Sequence, residues 1–124
     1  MISYSFEELI ANKCDKSKKI INIISMHIKI EEKDNQSIIY LSGEIDLSNA
    51  DSIKEQAIKL LERKKDLILN LSGVTYIDSS GISILIESHK NAMQQGVKSI
   101  LQDVSKEALK VIMMARLEQI LIIE

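Results

Sequence analysis

Ser79 and Ser80 stand side by side in Asp78-Ser79-Ser80-Gly81. A serine hydroxyl can cap a helix, act as a nucleophile, or carry a phosphate. Nucleophilic work needs a base within reach of the hydroxyl. The chain has two histidines, His27 and His89. His89 falls on the same stripe as Ile82, Leu85 and Ile86, the position of a packed or boundary residue, and His27 falls on the polar side of its segment. Neither spacing supports a Ser-His-acid arrangement, and the one cysteine, Cys14, has no motif around it. A Cys/His metal site lacks its ligands, and no nucleotide loop of the G-x-x-x-x-G-K-[ST] or G-x-G-x-x-G kind occurs. No catalytic residue, metal or cofactor is expected.

The flanking segments decide what the two serines can do. Leu67-Ile68-Leu69-Asn70-Leu71 is apolar except for Asn70 and lacks clean alternation, the pattern of a central strand covered on both faces. Ser72 to Ile77 reads as a short connection. Beyond Gly81, residues Ile82, Leu85, Ile86, Ala92 and Met93 recur at helical spacing up to Gly96, a residue suited to a left-handed helix end. A serine at such a strand-to-helix junction fits an N-cap, its oxygen accepting from N–H groups that have no partner in the first turn. The same N–H groups and the positive end of the helix dipole favour a phosphate. If Ser79 points outward, Ser80 is the more natural cap.

The other elements follow from periodicity. Met26, Ile28 and Ile30 alternate with His27, Lys29 and Glu31 as a half-buried strand. Asp34-Asn35-Gln36-Ser37 is a turn cluster, and Ile38 to Leu41 returns as the second strand of a hairpin. Ser48, with Asp51 three residues on, fits an acidic capping box that opens a helix through Ile53, Ala57, Leu60 and Leu61 to about Arg63-Lys64-Lys65. Val97 to Leu101 is a short strand, Ser105 caps a helix carrying Ala108, Leu109, Ile112 and Met113, and Ile120 to Ile123 closes as a strand. The order is β-β-α-β-α-β-α-β. It describes an α/β sandwich whose mixed sheet starts with a hairpin and continues as parallel βαβ units, with helices packed on it.

Residues 1–25 read as an N-terminal extension to a domain at 26–124. Phe6, Leu9 and Ile10 have helical spacing, Lys13 to Lys19 is polar and basic, and Ile20-Ile21 with Ile23-Ile24 need burial. The extension is expected to pack from about Ile20 onward on the domain or on a second copy, as a monomer or weak dimer, with the first few residues mobile.

Composition narrows the classes further. The 124 residues fit one domain with a real core, and 45% hydrophobic with 27% charged residues is ordinary for a globular chain. A net charge of −2 gives no basic footprint, and with one Phe and no Trp there is no stacking platform, so no nucleic-acid partner is expected. No apolar run has the length to span a bilayer and no secretory signal pattern opens the chain, so no membrane partner is expected and the reading is cytoplasmic, in keeping with a lone cysteine.

Leu41-Ser42-Gly43-Glu44-Ile45-Asp46-Leu47-Ser48, then a helix, a strand ending Leu69-Asn70-Leu71, and Tyr76-Ile77-Asp78-Ser79-Ser80-Gly81-Ile82 together resemble the STAS family, within it the stand-alone bacterial anti-sigma-factor antagonists. The resemblance covers about residues 26–124. It implies that Ser79, as first serine of D-S-S-G, is a phosphoacceptor, with Ser80 the rival, and it sets Asp46 beside that loop. Asp46, Asp78, Ser79, Ser80 and Gly81 are then the expected partner-binding residues. The implied partners are an anti-sigma-factor serine kinase, bound by the unphosphorylated form so that the sigma factor is released, and a serine phosphatase for reactivation. Nucleotide and catalytic base belong to the kinase, so this chain is not an enzyme. The alternatives are a receiver-like phosphoaspartate domain and a STAS signalling or scaffold module with no sigma factor. The receiver is disfavoured because no acidic pair follows the first strand and no lysine stands in a matching late loop. Where the family often has a glycine before the last strand, this chain has Ala115-Arg116.

Overall fold

The computed structural model describes residues 2–5 and 26–124. In chain order these form β1 (Ile2–Ser5), β2 (Met26–Glu32), β3 (Gln36–Ile45), α1 (Ala50–Leu61), β4 (Asp66–Ile77), α2 (Ser79–Gln95), β5 (Ser99–Gln102), α3 (Lys106–Met114), a 3-10 turn (Leu117–Gln119) and β6 (Ile122–Ile123). The strands lie side by side in sequence order, with β1, β2 and β3 antiparallel and β3 to β6 parallel. From Met26 onward this is the hairpin and βαβ order expected from the sequence.

Each parallel crossover steps one strand in the same direction, and right-handed crossovers of that kind put their helices on one face. One apolar core results. Ile28 and Ile30 of β2, Ile39 and Leu41 of β3, and Leu67, Leu69 and Leu71 of β4 meet Ile53, Ala57 and Leu61 of α1, Ile84 and Leu85 of α2, and Ala108 and Ile112 of α3. All five residues from Leu67 to Leu71 are buried, as a central strand requires.

Several expectations are corrected. Ser72 to Ile77 is not a connection: β4 runs unbroken to Ile77, and its pairing with β3 slips twice, between Tyr40 and Ser42 and between Gly43 and Glu44. These bulges break the period-2 pattern by which a strand is recognised. At the first of them the strands approach so closely that a Cβ on Gly73 would sit 2.6 Å from Ser42 Cβ, while Gly43 has φ 88°. The closing strand is only Ile122–Ile123, since Leu117–Gln119 coils first and leaves Ile120 exposed. On α2 the buried positions include Ile84 and Ser88, whereas Met93 is exposed. Helix α1 ends at Leu61, and Arg63, Lys64 and Lys65 form a turn in which Arg63 pairs with the buried carboxylate of Glu32.

At the other end, Ile2–Ser5 is a strand paired with β2, Ser5 opposite Lys29, so the first residues are not free as expected. The readings on Phe6, Leu9, Ile10, Cys14 and Ile20 to Ile24, and that on the side chain of His27, lie outside the described residues. Gly96 does close α2 in the left-handed conformation, φ 77° and ψ 22°, and Ser105 Oγ accepts from Ala108 N at 3.2 Å to cap α3.

Candidate functional site

The C-terminal ends of β3 and β4 are neighbours, with Glu44 opposite Tyr76 and Ile45 opposite Ile77. Asp46 and Asp78 each follow one of these strands, so the two loops emerge together at one sheet edge. A backbone bond ties them, Asp78 N donating to Ile45 O at 3.2 Å. Below them Gly81 is buried against both strands: a Cβ there would lie 2.5 Å from Ile77 Cγ1 and 2.8 Å from Ile45 Cγ2. Only a residue without a side chain lets the first turn of α2 sit so close to the sheet. The structure therefore brings Asp46, Asp78, Ser79, Ser80 and Gly81 into one corner.

Neither serine caps α2. Asp78 does: its Oδ1 accepts from Ser80 N at 2.8 Å and from Gly81 N at 3.1 Å. Aspartate is as good a cap as serine, and its charge also answers the helix dipole. The consequence is that two of the free N–H groups expected to welcome a phosphate are already taken. Ser79 becomes the first helical residue, exposed, and Ser80 is half-buried behind it. Among the described residues Ser79 makes no side-chain hydrogen bond. His89 lies ten residues along the same helix, with a buried Nδ1 that has no partner among the described residues, so it is a packed histidine and not a base for Ser79.

The Asp46 loop is built differently from its sequence reading. Ser48 is not the cap of α1, which is Asn49, and Asn49 uses its side chain to hold the loop. Its Oδ1 accepts from Asp46 N at 3.1 Å and its Nδ2 donates to Glu44 O at 2.8 Å. Asp46 Oδ1 in turn accepts from Ser48 N at 3.0 Å and from Ser48 Oγ at 2.5 Å. Asp46 is thus a loop-ordering residue, half-exposed at the rim of the corner.

Two residues at this edge were not singled out by sequence reasoning. Leu47 is 78% exposed and Tyr76 51% exposed, large apolar groups on the two tied strand ends. Exposed apolar groups beside an ordered polar corner are what a partner surface uses as anchors. The alternation of Tyr76 with Ile77 carried the signal, but only for a reader who already knew that β4 extends that far. Between α1 and α2 runs a groove lined by Leu47, Asp51, Lys54, Ser80, Ser83 and Glu87. Lys54 and Glu87 form an ion pair across it, and the hydrogen bond that the Lys54 ammonium donates to Glu87 raises its pKa above the ordinary value.

No group of three or more His, Cys, Asp or Glu side chains among the described residues could hold a metal ion, and none of their helices is long and apolar enough to cross a membrane.

An exposed hydroxyl on a capped helix start, tied to a second loop at the edge of a mixed sheet, sits on a recognised frame. Residues 27–124 match the STAS domain family, and the chain belongs to it. It is 25% identical over 98 residues to an anti-sigma-B factor antagonist of Bacillus subtilis, a match covering 79% of this chain and 90% of the relative. Among solved structures, an anti-sigma factor antagonist from Mycobacterium paratuberculosis superposes with TM-score 0.69 at 21% identity, over 80% of this chain and 85% of that one. The antagonist SpoIIAA superposes at 19% identity in both its forms. The unphosphorylated form gives TM-score 0.68 over 78% of this chain and 87% of that one. The phosphorylated form gives 0.63 over 78% and 90%. At these identities the three structures speak to the fold alone.

Proposed function

We propose that this chain is an anti-sigma-factor antagonist, a binding regulator switched by phosphorylation of Ser79. The observation that carries the reading is the setting of Ser79: an exposed hydroxyl on the first residue of α2, with no side-chain hydrogen bond among the described residues, in a chain whose relatives are named antagonists. Such a hydroxyl is well suited to enter a kinase's active site. There Ser79 Oγ would attack the γ-phosphorus of the kinase's ATP, forming the Oγ–P bond as the bond to the β-bridging oxygen breaks and ADP leaves. The hydroxyl proton goes to the kinase's base.

Unphosphorylated, the corner of Asp46, Asp78, Ser79, Ser80 and Gly81, flanked by Leu47 and Tyr76, binds an anti-sigma serine kinase in the cytoplasm and frees the sigma factor. The phosphate adds about −1.5 to −2 charges where Asp78 is already negative. A loss of ~3 kcal/mol from such like-charge juxtaposition weakens binding more than a hundredfold, sufficient for a switch. A serine phosphatase restores the binding form.

The experiment is phosphate uptake by the full chain with an anti-sigma kinase and ATP, comparing Ser79→Ala with Ser80→Ala, followed by affinity measurement on Ser79→Asp and the authentic phosphoprotein. Loss of labelling in Ser79→Ala alone, with weaker binding of the phosphoprotein, is expected. Labelling retained in Ser79→Ala, or equal affinity of both forms, would remove Ser79 from this account.

A further inference from the structure

Helix α3 carries two rows of side chains on its outer surface. Leu109 and Met113 form one, and Lys106, Lys110 and Met114 the other, each with a spacing of four residues. Such rows are the ridges against which a second helix packs. The opposite side of α3 is committed to the core through the buried Ala108 and Ile112. Outward, the five residues line an open depression of about 500 Å³ in which Met113 is 54% and Met114 76% exposed. Glu107, the one acidic residue of α3, does not line it. The two lysines do nothing for the helix itself. Lys106 opens α3, where the dipole disfavours a cation, and Lys110 stands one turn on as a like charge. Among the described residues neither ammonium has a hydrogen-bond or ion-pair partner.

We propose that this face docks an acidic amphipathic helix of a partner protein. Carboxylates one turn apart on the incoming helix pair with Lys106 and Lys110, and its apolar side chains pack on Leu109, Met113 and Met114. The unbranched, polarizable methionines adapt to such side chains without a preformed pocket. Charge argues against a second copy, since isologous antiparallel pairing centred on Lys110 sets that lysine against its own counterpart. Nor do the other described helices supply the complement. Helix α1 exposes Asp51 and Glu55 but no large apolar side chain, and α2 exposes Met93 together with Lys90 and Gln94. The face is also apart from the Ser79 corner. Ser105 N donates to Leu71 O at 3.2 Å, whereas Ile77 lies six residues further along β4, roughly 20 Å away. From Ser105, α3 runs back toward the start of β6, away from that corner. Binding here therefore does not depend on the state of Ser79.

The probe is a synthetic amphipathic helix of about five turns, with leucines along one stripe and glutamates flanking it. A control peptide carries lysines in place of the glutamates. Titrated into the 15N-labelled full chain, the glutamate peptide should shift the amides of Lys106 to Met114 and leave those of Asp78 to Gly81 in place. Lys106→Glu with Lys110→Glu, both at exposed positions, should weaken that peptide by at least roughly tenfold and let the lysine peptide bind instead. Met113→Gln with Met114→Gln should weaken the glutamate peptide by a similar factor, and Ser79→Asp should leave its affinity unchanged. Equal binding of the two peptides would reduce the face to unspecific apolar contact. Broadening of the α3 amides with protein concentration, before any peptide is added, would assign the face to a second copy. Shifts produced by phosphatidylglycerol vesicles but not by the peptide would assign it to a membrane. Each of these overturns the proposal, as does an absence of α3 shifts with the glutamate peptide.

Discussion

Asp78 N donates to Ile45 O across 3.2 Å, and the same residue's carboxylate holds Ser80 N and Gly81 N. One aspartate thereby joins two strand ends and starts a helix. Because the backbone bond does not depend on the side chain, the two roles can be separated by substitution.

Asp78→Ala should cost about 1 kcal/mol of stability, the usual loss on removing a cap. Asp78→Asn keeps an acceptor for Ser80 N and Gly81 N and should lose only a few tenths, chiefly the dipole interaction. Urea unfolding of the three proteins checks this ordering. Equal losses in both variants would mean that the charge, not the hydrogen bonds, is what holds the helix start.

Gly81→Ala sets two effects against each other. Alanine favours a helix over glycine by about 1 kcal/mol. Its Cβ, however, would overlap Ile77 Cγ1 at 2.5 Å and Ile45 Cγ2 at 2.8 Å, inside a packed core. Overpacking of that kind costs roughly 1–3 kcal/mol and moves the backbone. The clash should win, lowering the melting temperature and shifting the amide resonances of Asp78 and Ser79. A melting temperature at or above wild type would show that the two isoleucines step aside freely.

Periodicity made most of the fold legible, because core residues on β2 and the helices repeat at 2 or 3.6 residues, while the start of β4 showed as an unbroken apolar run. It failed where the backbone departs from the repeat. The bulges opposite Ser42 and Gly43 hid the second half of β4, and four residues, Ile2-Ser3-Tyr4-Ser5, are too short a run to mark β1 despite their alternation. Caps were misassigned for another reason. Asp46, Ser48 and Asn49, like Asp78, Ser79 and Ser80, are all competent caps, and which one bonds depends on where the strand ends. That Asp46 would lie beside the Asp78-Ser79-Ser80-Gly81 loop was legible through motif order, whereas Leu47 and Tyr76 emerged only from exposure.

Arg116 adopts φ 58° and ψ 32°, a left-handed conformation that costs a side-chain-bearing residue about 1–2 kcal/mol. A glycine would adopt this conformation without that cost. Arg116→Gly should stabilise the chain by roughly 0.5–1 kcal/mol, the relief being offset in part by the greater freedom of glycine in the unfolded chain. A higher urea midpoint at unchanged slope is the expected reading, with Arg116→Ala giving no gain. Equal midpoints for Arg116→Gly and wild type would mean that the arginine side chain compensates the strain.

Tyr40 donates its hydroxyl to Glu31 Oε1 at 2.6 Å, and that bond, with burial and the carboxylate charge, raises the phenol above its ordinary value. A group whose value rises on folding contributes stability that is complete below the unfolded value, about 10, and is lost as pH rises through the folded one. Tyr40→Phe should therefore be less stable than wild type at pH 8, by under about 1 kcal/mol for a half-exposed pair, and the gap should close above pH 10. A gap that widens at alkaline pH would contradict this sign.

The last prediction concerns a phosphate on Ser79. Phosphoserine takes its second charge with a pKa near 6, and whatever favours the dianion lowers that value. The helix N-terminus does so, but Asp78 occupies two of its N–H groups and brings a negative charge of its own. A unit charge roughly 5 Å away in exposed surroundings is worth just under about 1 kcal/mol, or about half a pH unit. In phosphorylated protein, Asp78→Asn should accordingly lower the second phosphate pKa by about that amount, read by 31P chemical shift against pH. An unchanged value would mean that the phosphate swings clear of Asp78 and that the switch draws its repulsion from the partner alone. A raised value would mean that Asp78 had been yielding its N–H groups to the phosphate, and that the asparagine yields them less readily.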